Sequence, residues 1–541
     1  MSILPLIPIL VLLGGALAVI SAQVLRLRLP DEIASIASLI ALAAMVPLAA
    51  PQPVETLVSS WQPLSVFGAP TSLRVDRLNW PIGLTAALVC ASTLLTGLAY
   101  PGQRRFAPRA LALGMTAALI ASTFAANLLT VALAWGLFDV LFAIGVLARG
   151  GEENAGRRAA FAVGFSAAAT MSLWIAALVI GQEHRSTYWH LMELSDTARG
   201  WLGLAAVLRL GLYPLNPWLS TAQEDAPGRL ALFYILPPLA GLHILIRMSD
   251  LDALPNGPVL IALAAVSILL GGALARLRGR SRDALPYLSL GGLGVVVLSG
   301  LFGYASTSST AIFINGAVSW GFALTVLNVS RGFDRSKPWW SLASGLSVAT
   351  LVGLPASAGF AVRTNLAAGA ARSAEWPLIL IALAGEALIF AGLMRVVGMP
   401  ATGDAPKGWR AAPAYVVALA LAGLPVFLMP ALGRSIVPEL TPPSFEVVLP
   451  ALGVLGSLLY GLPIVLALVI EWNTRNQSNA FGPNLEGLIG LDWFYSLVFR
   501  FVNWAARQLA GVAALLEGDT AMLWALLFLI VGYVVLSGVI P

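Results

Sequence analysis

The chain has 541 residues, of which 58% are hydrophobic and only 11% charged, with a net charge of +5. Soluble domains carry about 25% charged residues, so this is the composition of a polytopic membrane protein, whose length measures helix number rather than domain count. A single cysteine, Cys90, excludes a disulfide framework and a thiolate metal site, and three histidines without a Cys–His cluster argue against a haem or iron–sulfur centre.

Apolar runs long enough to span a bilayer recur along the whole chain. They lie near 3–24, 33–50, 80–100, 110–126, 128–147, 159–180, 201–219, 231–248, 259–275 and 284–301. Further runs lie near 308–329, 339–357, 375–398, 411–432, 448–470 and 521–540. The first lacks a basic flank and a cleavage site, so it reads as a retained helix and not a signal peptide. Between the second and third runs, SVFGAPTSLRVDRL alternates in part and carries turn residues, which allows a short exterior hairpin. Counting from the first loop to the eleventh, odd loops hold roughly sixteen Lys and Arg and even loops about five. That asymmetry places odd loops in the cytoplasm and the N-terminus outside. Near the C-terminus, LDWFYSLVFRFVNWAARQLAGVAALL mixes aromatics with Asp492, Arg500 and Arg507. Residues 483–516 therefore read as an amphipathic helix on the membrane surface or against a partner, ahead of a final span. No soluble domain and no low-complexity tract is visible.

Charges inside apolar runs are costly, and in membranes they mark functional positions or ion pairs. Asp139 lies near the middle of its run, as a proton carrier or half of a structural ion pair. Arg209 precedes Pro214 and Pro217, where broken backbone must line protein or a water-filled path. The alternative is a Pro-kinked packing helix whose Arg reaches a headgroup. Arg363 follows LVGLPASAGF, in which Pro355 and Gly359 unwind a helix. It lines a cavity or is the ordinary basic end of a span. Glu386 is again central in its run, with Arg395 a partner only if the helix geometry allows. His243 reads first as a packed core histidine and second as a proton relay. Asn315, Ser319 and Trp320 read as packing contacts before relay. His184 and His190 fall in an exterior loop, and the basic run Arg276–Arg282 is a topology signal and headgroup contact. No phosphate-cradling loop, nucleophile elbow or metal-ligand spacing is present.

Several stretches together resemble one family: the antiporter-like membrane subunits of respiratory complex I, shared with Mrp-type cation/proton antiporters and membrane-bound hydrogenases. RLGLYPLNPWLSTAQEDAP is similar to the family's broken seventh helix, and ALFYILPPLAGLHILIR to its eighth. RSRDALPYLSLGGLG is similar to its tenth, ATLVGLPASAGFAVRTNLAAGA to its broken twelfth, and NLLTVALAWGLFD to its fifth. The tail, with LEGDTAMLWALLFLI, resembles the longer members. On this resemblance the family's fifth-helix Glu falls on Gly136, with Asp139 one turn further on nearly the same face. Its seventh-helix Lys falls on Arg209, its eighth-helix basic position near Phe233 or Tyr234, its eleventh-helix His and Lys on Ala317 and Gly321, and its twelfth-helix Lys on Arg363.

The expectation is an all-α polytopic membrane protein of about 14–16 spans, with broken helices near 201–219 and 339–366. N-terminal helices occupy 1–100, an antiporter-like core of two pseudo-repeated bundles 101–400, and C-terminal helices 401–541. The resemblance implies a membrane-arm subunit of a complex-I-like assembly, moving protons or cations along Asp139, Arg209, His243, Arg363 and Glu386. The driving redox chemistry sits on other subunits, as in NADH:quinone oxidoreductases. Such a subunit carries no cofactor and meets quinone only through its neighbours. Its partners are other membrane subunits and lipid, not nucleic acid, and its place is the bacterial inner membrane. The rival readings are a non-conducting structural subunit, a subunit of an Mrp-type Na+/H+ antiporter, and a stand-alone antiporter.

Overall fold

The computed structural model describes residues 2–27, 29–49, 53–59, 69–98, 107–147, 153–183, 185–216, 229–255, 257–277, 281–302, 308–330, 338–355, 357–373, 375–398, 412–423, 437–440 and 445–474, and a few residues of the last fifty-eight. It divides into two compact units, Met1–Pro483 and Asn484–Pro541.

The first unit is helical. Its helices are α1 (Ile7–Val24), α2 (Pro30–Met45), α3 (Trp80–Leu98), α4 (Ala107–Thr123), α5 (Leu128–Leu147), α6 (Glu153–Gln182), α7 (Asp196–Leu210) and α8 (Arg229–Asp250). There follow α9 (Gly257–Leu277), α10 (Ser281–Leu301), α11 (Ser309–Val329), α12 (Pro338–Leu351), α13 (Gly359–Ser373) and α14 (Trp376–Gly398). The last two are α15 (Ala412–Gly423) and α16 (Phe445–Thr474). Among the described residues, ten helices are long and apolar enough to cross a membrane. The share of each span that is buried sorts them: all of α11 and 94% of α3 are enclosed by protein, whereas only 17% of α16 is. The first two are central and the last is peripheral.

The expected hairpin is present. β1 (Val54–Ser59) pairs antiparallel with β2 (Thr71–Val75), in the register Val54 opposite Val75. Its second strand is tied to the α4–α5 turn. Arg74 donates its amide to the Phe124 carbonyl at 2.6 Å, and Ala126 donates to Ser72 at 2.9 Å.

Both expected helix breaks are found, each at a glycine with positive φ. Helix α7 starts at the Ser195 cap, whose Oγ accepts the Ala198 amide. It stops at Gly211, φ +65°, short of the predicted run to 219. Only a residue without Cβ takes that conformation at little cost, and Pro214 then cannot resume the helix. Arg209 therefore lies in the last turn of α7, not in mid-helix as its apolar run implied. A cation there suits the negative end of the helix dipole. Between α12 and α13 the chain turns at Gly353, φ +67°. A Cβ there would lie 2.9 Å from the Gly359 carbonyl and from the Arg363 side chain, and one on Gly359 would strike the Thr350 carbonyl. The break is thus a tight backbone crossing that only glycine permits.

Small residues also set the closest helix contacts, as expected where lipid removes the hydrophobic drive for helix association. A Cβ on Gly271 of α9 would come within 2.5 Å of the Gly291 amide of α10. One on Gly272 would come within 2.8 Å of the Gly385 carbonyl of α14.

In the second unit, Ser496, Leu497, Arg500, Trp504, Arg507 and Gln508 are helical, with Leu497 and Trp504 exposed. The rest of the predicted surface helix 483–516, and the last predicted span, lie outside the described residues.

Two buried ion pairs as the candidate functional site

The intramembrane charges of the core come together as two Arg–carboxylate pairs, each on helices next to a break. In the first, Asp139 of α5 meets Arg209 of α7, Nη1 to Oδ1 at 2.6 Å. Helix α6 supplies two hydroxyls one turn apart. Ser166 donates to Asp139 Oδ1 and Thr170 to Oδ2, both at 2.5 Å. Arg209 also donates to the Ser166 Oγ, and to Thr170 Oγ1 at 3.2 Å. Its guanidinium lies 4.2 Å from the Trp135 ring centre and 5.3 Å from that of Phe138. Both carboxylate oxygens are thus occupied, and the cation rests on two aromatic faces. Arg209 is 1% exposed, whereas Asp139 keeps 13% of its side chain open.

In the second pair, Arg363 of α13 meets Glu386 of α14, Nε to Oε2 at 3.3 Å. The other guanidinium nitrogens go to main chain. Nη1 donates to the Val352 carbonyl at 2.5 Å, and Nη2 to the Tyr460 carbonyl of α16. Val352 follows the last residue of α12, where carbonyls lose their helical donors. The break therefore creates an acceptor for Arg363. Phe390 and Tyr460 stack on the guanidinium at 4.6 and 4.5 Å. Glu386 Oε1 is buried and has no hydrogen-bond partner among the described residues.

Of the residues singled out from sequence, four form these pairs. His243 does not join them. It is buried on α8, edge-on to Trp189 at 6.2 Å, and its Nε2 accepts from Arg247 Nε at 3.4 Å. Arg247 in turn bonds Asp76, below the hairpin, at 2.8 Å. His190 is exposed. Arg395 donates to the Arg276 carbonyl at 2.8 Å. Nine residues from Glu386 is about two and a half turns, which puts Arg395 on the opposite face. Asn315 donates to the Ala311 and Glu439 carbonyls, and Trp320 to the Ser289 carbonyl, as packing contacts do. Sequence reasoning missed Ser166 and Thr170, although two hydroxyls four residues apart in an apolar run were a readable signal for one polar face. It also missed the Arg363–Glu386 pairing and all four aromatic faces.

Comparison with known proteins accounts for this plan. Residues 125–389, from the start of α5 into α14, match the transmembrane region of the NADH:quinone oxidoreductase/Mrp antiporter family. The core is thus similar to the NADH:quinone oxidoreductase/Mrp antiporter family over about half of the chain. Subunit N of the NADH-quinone oxidoreductase of Cereibacter sphaeroides is 28% identical over 422 residues, covering 72% of this chain and 87% of that protein. The subunit N of Rhodopseudomonas palustris is 25% identical over 229 residues, 37% of this chain and half the length of that relative. In fold, a chain of the Mrp complex from Dietzia sp. superposes on 99% of this chain and 63% of its own length, with a TM-score of 0.78 at 16% identity. A chain of an archaeal membrane-bound sulfane sulfur reductase superposes with a TM-score of 0.68, also at 16% identity, covering 98% and 99% of the two chains. The protein is a multi-pass membrane protein of this antiporter-like fold.

Against the antiporter-family pattern, four positions stand out. Gly136 of α5 has open space where a Cβ would point. Gly321 of α11 does not: a Cβ there would lie 2.9 Å from Thr85 of α3. Ala317, one turn before it, is fully buried. Phe233 of α8 packs against Phe142 with ring centroids 6.0 Å apart and the planes tilted by 41°. The position that the resemblance assigns to an eleventh-helix lysine is thus occupied here by direct helix packing.

Proposed function

We propose that the chain is a membrane-arm subunit of a complex-I-like assembly that contributes to proton, or less readily cation, translocation driven by redox chemistry on other subunits. The observation that carries this is the repeated motif of a mid-membrane carboxylate, an arginine at a helix break and two aromatic faces. Arginine stays charged at any working pH, so the switchable member of each pair is Asp139 or Glu386. When the carboxyl takes a proton, the arginine loses its counter-charge. Trp135 and Phe138, or Phe390 and Tyr460, then hold the cation, since an aromatic face stabilises a desolvated guanidinium by about 2 kcal/mol. The aromatics thereby lower the cost of the protonated state. His243 joins the path in this reading from the side of Asp76.

Residues 101–400 form the conducting core. The Lys and Arg asymmetry of the loops supports an exterior N-terminus in a bacterial inner membrane. The subunit N relatives support neighbours that are other membrane subunits.

One observation favours a second reading, a structural subunit that conducts nothing. The tight contact of Gly321 with Thr85 gives the fully enclosed α11 packing rather than charge at this position. Asp139→Asn and Glu386→Gln in reconstituted vesicles separate the two. Ion pumping at unchanged redox turnover and confirmed assembly is the readout. Loss of pumping supports the relay. Unaltered pumping in both variants would sink it and leave the structural reading standing.

A further inference from the structure

A cavity of about 30 Å³ lies between α10, α11, α12, α13 and α14. Its wall is apolar except at four side chains: Glu386, Arg363, Ser319 and Thr350. Roughly 10–15 Å³ suffices for one water, provided two to four polar partners face it. The partners here offer both acceptors and donors. Glu386 Oε1 is buried with no bond among the described residues. Ser319 donates its hydrogen to the Gly316 carbonyl at 3.2 Å, and Thr350 to the Leu346 carbonyl at 3.0 Å. Each hydroxyl oxygen therefore still has lone pairs to accept. Arg363 places three N–H groups on Glu386, Val352 and Tyr460, and a guanidinium carries five. The Trp320 indole, which also lines the cavity, is committed to Ser289. A buried carboxylate oxygen without a donor costs several kcal/mol on general grounds, so the pocket that receives it is a polar site, not a packing defect.

We propose that this cavity is a built water site. One ordered water donates to Glu386 Oε1 and to a hydroxyl oxygen of Ser319 or Thr350, and accepts from Arg363. Ser319 and Thr350 then become positioning residues: they hold the water that Glu386 exchanges its proton with, while Arg363 stays on Oε2. The site's existence is independent of the proposed function; only its role in translocation rests on Glu386 being the switchable acid. The corresponding place beside Asp139 has no such need, because Ser166 and Thr170 fill both oxygens directly.

The test uses the assembled complex that carries this chain. A structure at a resolution that shows ordered waters should place density within hydrogen-bond reach of Glu386 Oε1. Infrared difference spectra should show a water O–H band that shifts in H₂¹⁸O. That band should be lost in Thr350→Val, which keeps volume and removes the hydroxyl, and return in Thr350→Ser, or be lost in Ser319→Ala where Ser319 is the acceptor. Pumping at unchanged electron transfer should fall by about a hundredfold in T350V, the low end for a positioned proton-transfer group, and recover in T350S. A dry cavity with Oε1 moved onto a protein donor overturns the proposal. So does a band that survives in both T350V and Ser319→Ala. Density and band are read without pumping, so a chain that pumps nothing fails the proposed function while this result stands.

Discussion

The two ion pairs of the core solve the same problem with different materials. Around Asp139 the supporting donors are side-chain hydroxyls from a neighbouring unbroken helix, and both carboxylate oxygens are filled. Around Glu386 the support is main chain. The carbonyls of Val352 and Tyr460 hold Arg363, and one oxygen of the acid is left to a cavity. The difference lies in where the backbone breaks. Arg209 sits before its break, so the loosened chain lies beyond it. Arg363 sits after its break, so freed carbonyls face it. A buried pair can thus be neutralised from side chains, which fix the acid, or from backbone, which fixes the base and leaves the acid less committed.

The sharpest way to break this comparison is to delete each base. Arg363→Met leaves Glu386 with no protein donor among the described residues and should cost about 3–5 kcal/mol, the usual penalty for orphaning one partner of a buried pair. Arg209→Met leaves Asp139 with two hydroxyl donors and should cost distinctly less. Thermal unfolding of the purified protein in detergent measures both, and equal losses would erase the distinction. Arg363→Met with Glu386→Leu should recover most of the single loss, because an apolar pair replaces a charged one at little cost. A smaller effect sharpens the first site. Ser166→Ala or Thr170→Val should each cost about 1.5–3 kcal/mol, as bonds to a charged group do. The smallest concerns a third pair, Asp76, which lies outside the spans, with Arg247 in the last turn of α8. Burial raises the Asp76 carboxyl, but the Arg247 charge and the bonds from Arg247, Asn79 and Leu78 more than offset it and hold it below the ordinary 3.8. Its contribution is therefore complete above that value and lost as pH falls through the lowered one. Hydrogen exchange around residues 69–79 should rise in acid for the wild type, and Asp76→Asn should flatten that pH dependence.

Most of the helices were legible because each buries an apolar run whose length the bilayer dictates. The hairpin and both breaks were legible because glycine and proline act locally. What the sequence could not show was partnership. Arg363 and Glu386 are apart by 23 positions and on different helices, and Asp139 and Ser166 by 27, so their meeting depends on which helix faces pack. The position of Arg209 within its helix was misjudged for a related reason. The apolar run continues past Gly211, but the hydrogen-bonded helix does not. Ser319 reads as packing when its own bond is considered, and as a water ligand only once the cavity beside it is known.

Gly136 bears on how such a site drifts over generations. Its missing side chain would meet open space, one turn from Asp139 on nearly the same face of α5. A side chain gained at 136 has room while Asp139 is still in place. No comparable route exists on α11, where any side chain added at Gly321 must first displace Thr85.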